Sequence, residues 1–562
     1  MNLPEENMGP APNDMLRCFP FGGVGEFGKN MMLYAWGKDA VIVDCGMGFP
    51  EPGQHGVDVV VPDISALQEM DLKLHAILLT HGHEDHIGGL PYLWPELKLP
   101  IYGTPVTLAL VEGKLSEQGF KAELRPYGAE GTSIDVGPFQ VEAVPVTHSI
   151  MDACSLAIRT PIGIIVHTGD FRFDPAPIDN RPTPIHRFAQ IGDEGVVLLV
   201  SDSTNATRPG SGPSERIVGP ALRQAIAGCR GKVVVTTFAS NMFRIQQIID
   251  AAIECGRKIS VAGRSLERNI EITRGLNRLR IPDDTLVPIK QAKDLPAHEL
   301  LIIATGSQGE SRAALARLAQ DRFPGLHLQE GDLVIFSSSN IPGNERTISN
   351  LYNHIYRRGA RILHAGKAPL HVSGHAHAHE LKMMMQLVRP RYFYPVHGEY
   401  RYLIEHRDLA VASGIPFDHS VIAENGQSVE IDGDGIRLGK CFQAGAVFVD
   451  GVSRDEIDDL VLRDRRILAE DGMISATVLI TQYDGKLLGK PQLVARGVLS
   501  SDVSEELLTE MSRDLQQELE SMDKETLADI DAAKEEVRLF VRRWCKRKIG
   551  RRPMVLPVVV EV

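Results

Sequence analysis

Residues 80–89 carry a dense group of metal-binding side chains: Thr80-His81-Gly82-His83-Glu84-Asp85-His86-Ile87-Gly88-Gly89. They directly follow the apolar run 76–79, which predicts a buried strand, and Gly82 permits a tight turn after it. A single histidine at a strand end is usually a hydrogen-bonded surface or core residue. Three histidines and an aspartate within six positions instead favour a metal site. Imidazole and carboxylate together suit Zn²⁺ or a similar divalent ion.

The first 200 residues repeat this arrangement, with short apolar runs that each end near an acidic residue or a histidine. Runs of this length, rich in valine and isoleucine, predict buried strands. The polar residues that follow them are Asp44, His148, Asp170 and Asp202, and His397 follows a later run at 392–396. Because α/β proteins build their sites from groups gathered at one rim of a sheet, we expect these side chains to meet the 80–89 segment.

The chain is long enough for several domains, and its pattern changes at about residue 206. Residues 206–364 alternate between strand-like and helix-like segments, which predicts βαβ units and a second, parallel sheet. Because His397 belongs with the earlier strand-end residues, this domain is predicted to be inserted into the first. The predicted domains are 1–205 and 365–450 as the two parts of the first domain, 206–364 as the insert, 451–465 as a linker and 466–562 as a C-terminal domain.

A row of apolar residues at helical spacing lies in the predicted C-terminal domain. It predicts a helix whose row serves internal packing or subunit contact. Its members are Leu508, Met511, Leu515, Leu519 and Met522.

The composition is that of an ordinary water-soluble globular protein, with 43% hydrophobic and 24% charged residues. No apolar run approaches the roughly 20 residues needed to cross a bilayer, and the first residues do not resemble a secretion signal. The seven cysteines are scattered and form no CxxC pair, so we predict a reducing, cytoplasmic setting and no membrane association. The net charge of −13 disfavours a nucleic-acid partner unless a local site binds it.

The segment His81 to His86 matches the HxHxDH signature in full, and the chain resembles the metallo-β-lactamase superfamily. The resemblance implies an αββα sandwich with two Zn²⁺ per subunit, Mn²⁺ or Mg²⁺ being possible alternatives. It implies that His81, His83 and His148 hold one ion, that Asp85, His86 and His397 hold the other, and that Asp170 bridges them. Asp44 then acts from outside the ligand set by orienting a ligand or the bound water.

Within this superfamily the chain resembles the β-CASP nucleases, whose inserted domain covers the metal site. Their acidic motif matches Asp202, the next matches His375 and the last matches His397. A histidine in the last motif is the form of RNA-processing members, so the resemblance favours RNA over DNA. It implies that His375 stabilises or protonates the scissile phosphate and leaving oxygen while Asp202 orients it. The predicted catalytic residues are Asp44, Asp85, Asp202 and His375.

The resemblance is strongest to the ribonuclease J family and covers nearly the whole chain. The motifs that carry it include residues 22–30, 81–89, 201–205, 238–241, 337–345, 371–375, 395–401 and 468–472. Their serine, asparagine and backbone N–H groups bind phosphate without adding positive charge, which eases the conflict with the net charge. The predicted RNA- and phosphate-binding residues are His371, Val372, Ser373, Gly374, His375, Ser240, Asn241, Ser338 and Asn340.

The family implies a ribonuclease that acts on single-stranded 5′ ends, preferring a 5′ monophosphate, and that also cleaves internally. It further implies a homodimer or homotetramer formed through the C-terminal region. Three alternatives stay open on sequence alone. They are a DNA nuclease of the same superfamily, a small-molecule zinc hydrolase, and an RNA-binding scaffold without catalysis.

Overall fold

The structure is a computed structural model that describes residues 15–51, 53–341, 343–450, 456–482, 486–498 and 501–562. The predicted N-terminal tail, Pro342 of the 337–345 motif and residues 451–455 of the predicted linker lie outside the described residues. The chain forms two compact units. One contains residues up to 48 together with 60–446, and the other contains residues 49–59 together with 447–562.

The first unit contains two large sheets whose facing sides form a shared core. Alternate residues of each strand enter this core, as Val41 and Val43 do from one sheet and Leu156 and Ile158 from the other. The eight-stranded sheet has the order Gly435–Cys441, Gln427–Asp432, Leu16–Gly22, Met31–Trp36, Asp39–Val43, Lys73–Leu78, Ile101–Gly103 and Leu124–Pro126. The six-stranded sheet has the order Tyr392–Val396, Val196–Asp202, Gly163–His167, Cys154–Thr160, Phe139–Pro145 and Ile134–Val136.

Helices cover both sheets, because their central strands are apolar on both sides. Ile185–Glu194 and Ala378–Val388 pack on the strand Val196–Asp202, and Pro105–Glu117 packs on Ile101–Gly103. The remaining helices of this part are Glu84–Ile87, Leu90–Leu97 and Tyr400–Ala412. The result is the predicted sandwich of two sheets between helical layers.

A third sheet is formed by the part of the chain that connects two neighbouring strands of the six-stranded sheet. Val196–Asp202 and Tyr392–Val396 pair in parallel, and the intervening chain builds a separate domain before returning. This domain has a wholly parallel sheet in the order Lys258–Ala262, Leu300–Ala304, Val233–Thr236, Leu333–Phe336 and Arg361–His364. Its helices are Val218–Ala227, Met242–Glu254, Arg264–Gly275, Ala314–Ala319 and Glu345–Arg357. The parallel sheet and its inserted position agree with the prediction, whereas the bounds 206–364 stay a prediction.

The second unit packs long helices on a small sheet. The sheet has the order Gln492–Arg496, Met473–Ile480 and Met554–Glu561, and the helices are Asp459–Asp471, Ser501–Ser521, Lys524–Ala528 and Ile530–Ile549. Met511, Leu515 and Leu519 of the predicted apolar row are buried in the core of this unit, with Leu508 partly exposed and Met522 partly buried against that core. The row therefore packs inside its own unit, and its predicted alternative as a subunit contact is not needed to explain it.

Candidate metal centre

Four chain segments bring seven metal-binding side chains together at the ends of strands from both sheets. His81 and His83 follow the strand Lys73–Leu78, and the one-turn helix Glu84–Ile87 presents Asp85 and His86. The other three side chains follow strands whose apolar residues fix them in the core: His148 after Phe139–Pro145, Asp170 after Gly163–His167, and His397 after Tyr392–Val396. All seven residues predicted as ligands therefore lie in one place.

The first group of donors consists of His81, His83, His148 and Asp170, whose ligand atoms lie within 4.8 Å of one another. His83 Nδ1 is 3.1 Å from His81 Nε2 and 3.1 Å from His148 Nε2. Asp170 Oδ2 is 3.6 Å from each of those two Nε2 atoms. Nitrogen ligands about 2.0–2.1 Å from one tetrahedral ion lie roughly 3.3 Å apart. The spacing of this group therefore fits a single tetrahedral cation.

The second group consists of Asp85, His86, His397 and again Asp170. His397 Nε2 is 3.2 Å from Asp85 Oδ2 and 3.6 Å from Asp170 Oδ1. His86 Nε2 is 3.6 Å from Asp85 Oδ2 and 3.4 Å from Asp170 Oδ2. Within the described parts of the chain, Asp170 Oδ1 is buried without a hydrogen-bond partner. A buried carboxylate oxygen without a partner is costly, and a cation held by the second group would give Asp170 Oδ1 a partner.

Hydrogen bonds on the far side of each imidazole decide which nitrogen faces the site. His86 Nδ1 donates to Asp44 Oδ2 at 2.8 Å, and His148 Nδ1 donates to the Gly374 carbonyl oxygen at 2.8 Å. Thr80 Oγ1 donates to Asp44 and accepts from His81 Nδ1 at 3.0 Å. Thr204 Oγ1 plays the same part between Asp202 and His397 Nδ1. All four rings therefore offer Nε2 to a metal, which is the usual role of such outer hydrogen bonds.

Burial keeps three histidines of the first group in the neutral form that binds metal. It lowers the pKa of His81 and His148 well below the usual value and lowers the pKa of His83 to about 4. A neighbouring charge adds to the effect on His81, because His86 lies beside it. Neutral imidazole is the species that coordinates a cation, so these rings are prepared for ligation.

The second group has the opposite electrostatic balance. Burial lowers the pKa of His86 and His397, but Asp170 and the other nearby carboxylates outweigh burial and hold both pKa values well above the usual range. Burial likewise raises the pKa of Asp170, while His397 and His86 overcome it and hold that pKa well below normal. Protons therefore compete with a metal mainly at the second group.

His375 and Asp202 form a separate pair beside the two donor groups. His375 Nδ1 donates to Asp202 Oδ2 at 2.8 Å and lies 3.9 Å from Asp170 Oδ2. The His375 ring stacks on His397 with centroids 5.5 Å apart. Burial lowers the pKa of His375, but Asp202 and Asp170 raise it above the usual value overall. This arrangement leaves the Nε2 atom of a partly exposed histidine, whose pKa is raised, next to the proposed metal ligands.

The 371–375 loop is held against this pair by hydrogen bonds from other loops. Asn205 Nδ2 donates to Ser373 Oγ at 2.8 Å and to the His375 carbonyl at 3.0 Å. Arg172 donates to the Ser373 carbonyl at 3.1 Å. Gly374 must be glycine, because a Cβ atom there would lie 2.8 Å from the His148 ring. In the same loop Val372 is buried, and burial with nearby Arg244 and Arg208 lowers the pKa of His371 to about 3.

The four predicted RNA-binding residues of the inserted domain lie at the ends of its strands. Asn241 is buried and caps the helix Met242–Glu254, where its Oδ1 accepts from Arg244 N at 2.9 Å. Ser338 is buried, Ser240 is partly exposed and Asn340 is exposed. None of the four hydrogen-bonds to a predicted metal ligand in the described ranges.

Asn30 supports the second donor group and was assigned no role in the sequence analysis. Its Nδ2 lies 3.0 Å from the Asp85 carbonyl, 3.4 Å from Asp85 Oδ2 and 3.2 Å from His86 Nε2. Asn30 is the last residue of the 22–30 motif, so the sequence marked its position, but its contact with Asp85 and His86 could not be predicted.

Arg244 was also missed, because its partners are distant in sequence. Its fully buried guanidinium donates to the carbonyls of Ser337 and Leu370 at 2.7 Å and pairs with Glu215 at 2.7 Å. It thereby ties the insert to the residue before His371.

A cavity of about 790 Å³ opens beside His148. The sandwich contributes Tyr127, Arg172 and Asp152 to its walls, and the insert contributes Phe243 and Arg278. Arg278 bonds Asp152 across it at 3.1 Å. The space is large enough for a nucleotide-sized group next to the donor atoms.

Comparisons with known proteins extend over nearly the whole chain. Family models match at residues 24–208 (metallo-beta-lactamase superfamily), 230–355 (Ribonuclease J, beta-CASP domain), 364–420 (Zn-dependent metallo-hydrolase RNA specificity domain) and 460–562 (Ribonuclease J C-terminal domain). Ribonuclease J 1 of Streptococcus pyogenes serotype M3 is 39% identical over 555 residues, covering 99% of both chains. The chain belongs to the ribonuclease J family.

Two further relatives are also named ribonuclease J. Ribonuclease J of Mycobacterium tuberculosis (strain H37Rv) is 39% identical over 561 residues, with 99% of each chain covered. Ribonuclease J of Helicobacter pylori (strain J99) is 37% identical over 544 residues, covering 96% of this chain and 78% of the relative. A crystal structure of a protein of unknown function from Enterococcus faecalis V583 has a TM-score of 0.54 at 17% identity. It covers 74% of this chain and 100% of its own, and shows the shared fold alone.

These matches confirm the predicted family and fold class of this ribonuclease J family member. They also establish a hydrolytic nuclease with a divalent-metal site of histidine and aspartate donors. In the part of the chain that the structure describes, no helix is long and apolar enough to cross a bilayer.

Proposed function

We propose that this protein hydrolyses RNA as a 5′-to-3′ exonuclease that prefers a 5′ monophosphate, and that it also cleaves internally. The observation that carries the proposal is the pair of donor groups joined by Asp170, with His375 and Asp202 directly beside them. The matched RNA specificity domain and the names of the ribonuclease J relatives support RNA as the substrate. We further propose a cytoplasmic location, which the seven free thiols support.

One divalent cation is proposed for each donor group, with Zn²⁺ favoured by the many imidazoles and Mn²⁺ or Mg²⁺ as alternatives. His81, His83, His148 and Asp170 hold the first, and Asp85, His86, His397 and Asp170 hold the second. Bound as a pair, such cations provide a nucleophile near neutral pH and offset the charge that grows on a phosphate under attack. Asp44 keeps His86 oriented through the hydrogen bond to Nδ1.

His375 is proposed as the general acid of the reaction. Its Nδ1 proton is committed to Asp202, so Nε2 faces the site and delivers a proton to the leaving oxygen. Asp202 holds the ring in this orientation and keeps the protonated form favourable. The 371–375 loop is proposed to bind the substrate phosphate with Ser373 and the backbone of Gly374. The buried Val372 and the partly buried His371 anchor that loop in the protein.

We propose that a more distant part of the RNA strand contacts Ser240, Ser338 and Asn340. Asn241 fixes the loop that carries Ser240 by capping the following helix. These residues contribute hydroxyl and amide groups rather than charge. They therefore suit binding of any sequence through the backbone of the RNA.

Self-association through the second unit is proposed as a homodimer or homotetramer. The outer face of its small sheet supports this, because Leu479, Leu556, Val558 and Val560 are each at least 41% exposed on adjacent strands. A continuous apolar face of this kind is rare on a monomer. Val558→Glu is expected to shift the protein towards monomers in light scattering. An unchanged mass would contradict this surface.

Product mapping on one RNA sequence tests the enzymatic proposal. The RNA is labelled and supplied with a 5′ triphosphate, monophosphate or hydroxyl, and a DNA of the same sequence serves as the comparison. We expect single nucleotides released fastest from the monophosphate, internal cuts on all three RNAs, and no cleavage by His81→Ala. Equal cleavage of the DNA, or cleavage that survives both chelation and His81→Ala, would contradict the proposal.

A further inference from the structure

The loop at residues 23–30 presents an exposed aromatic ring at the rim of the metal centre. The Phe27 side chain is 42% exposed, whereas Val24 in the same loop is buried. The Phe27 ring lies 6.0 Å from the His397 ring, at an interplanar angle of 70°. Burying a phenylalanine usually stabilises a fold, so an exposed one beside a proposed metal ligand is a candidate contact for substrate.

The loop that carries Phe27 is tied to the residues that hold the metals. The Gly23 carbonyl accepts from His397 N at 2.8 Å, and Val24–Gly25 pairs with Gly398–Glu399. At the far end, Asn30 N donates to the Asp85 carbonyl at 3.0 Å. Asn425 bonds the loop between these points, at Val24 N and at Glu26. The position of Phe27 relative to the second donor group is therefore set in advance.

A second aromatic group lies next to Phe27. The Tyr402 ring is 6.0 Å from the Phe27 ring, and the Arg401 guanidinium lies 4.7 Å from the Tyr402 centroid. Tyr400, at the start of the same helix, is 49% exposed. Exposed aromatic rings accompanied by arginine are how proteins bind single-stranded nucleic acid without reading its sequence.

We propose that Phe27 stacks on one base of the RNA strand, adjacent to the phosphate that is cut. This inference rests on the proposed ribonuclease function. A phosphate held at His397 carries its own base and the neighbouring ones into this region, so a nucleobase is the aromatic partner that the reaction itself brings to Phe27. Stacking of one base on an aromatic side chain is worth about 1–3 kcal/mol, which corresponds to roughly 5- to 150-fold in kcat/KM.

The test compares Phe27→Ala and Phe27→Leu with wild type on a 5′-monophosphorylated RNA and on a series in which one abasic nucleotide is moved along it. Phe417→Ala is the matched control, because that ring is 61% exposed and contacts Arg407 rather than a metal ligand. Both Phe27 variants are expected to lose about 5- to 150-fold in kcat/KM, mainly through KM, with unchanged metal content. Phe417→Ala is expected to match wild type.

The abasic series locates the stacked base. At one position the missing base should slow wild type by a similar factor, and there Phe27→Ala should add no further loss. Cleavage of intact RNA by Phe27→Ala within twofold of wild type would overturn the inference. So would full activity of Phe27→Leu, an equal loss on every abasic RNA, or loss of metal in parallel with activity. A wild type that cleaves no RNA would instead refute the proposed function, and this inference with it.

Discussion

Asp44 offers the sharpest test of how the second donor group is built, through the substitution Asp44→Asn. The Asp44 carboxylate accepts from Thr80 N, Thr80 Oγ1 and His86 Nδ1, each at 2.8 Å, and it is buried. Its backbone has φ +61°, a region that asparagine also tolerates. The substitution therefore removes the charge and one acceptor atom without adding backbone strain.

The expected magnitude follows from counting donors. Two N–H groups with fixed directions, on Thr80 and His86, face the two carboxylate oxygens, and an amide supplies only one oxygen. One buried donor is left unpaired at a cost of about 1–3 kcal/mol in the free energy of unfolding. Loss of an outer partner of this kind typically weakens metal binding about 10- to 100-fold. We expect the second group to lose its metal while the first keeps it.

Metal content after dialysis, together with urea unfolding, measures both effects. Asp39→Asn is the matched control, since Asp39 begins the strand Asp39–Val43 that Asp44 follows, and it bonds His75 Nε2 at 2.6 Å near the surface. That variant should keep wild-type metal content and nearly wild-type stability. Two bound metals in Asp44→Asn with wild-type affinity, or an equal loss in Asp39→Asn, would refute this account of Asp44.

Three further outcomes follow from the contacts described. His375→Ala should lower kcat by about 10²- to 10⁴-fold with metal content unchanged, measured by steady-state RNA cleavage, and retained kcat would exclude it as the general acid. As pH falls, the second donor group should release metal before the first, because the raised pKa values of His86 and His397 let protons compete there at higher pH. Metal content across a pH series checks this, and release from both groups together would contradict it. Arg244→Met should cost about 3–5 kcal/mol in urea unfolding because the largely buried Glu215 carboxylate loses its cationic partner and keeps Gln247 as a hydrogen-bond donor, whereas Arg223→Met, in an exposed pair with Glu254, should cost under about 1 kcal/mol. Equal costs would argue against the buried pair.

Local spacing was enough to predict that four of the proposed metal ligands lie together. His81, His83, Asp85 and His86 lie on one turn and one short helix, so their mutual positions follow from six consecutive residues. Asp170 and His397 were predictable because apolar runs place polar residues at strand ends. The inserted parallel sheet was predictable for the same reason, since alternating patterns report local structure.

Other features depend on contacts between residues far apart in the chain. The nitrogen that His148 offers is decided by the Gly374 carbonyl, and that of His397 by Thr204. Asn30, which reaches Asp85, and Arg244, which reaches Leu370, show no local pattern that names those partners. Asn241 shows the reverse, because an asparagine before an amphipathic run is a local helix-cap signal, whereas its predicted contact with RNA stays a prediction.

The amino-acid sequence by itself therefore predicted the strands, the insertion, the residues proposed as ligands and the family. Tertiary structure alone decided that His81, His86, His148 and His397 turn Nε2 inward whereas His83 turns Nδ1 inward, and that Phe27 is exposed beside His397. The physical reason is the separation along the chain of the residues that interact. Secondary structure and ligand spacing arise from interactions between near neighbours in the chain. The direction of a side chain where these four segments meet is instead set by hydrogen bonds and packing that exist only once the segments are folded together.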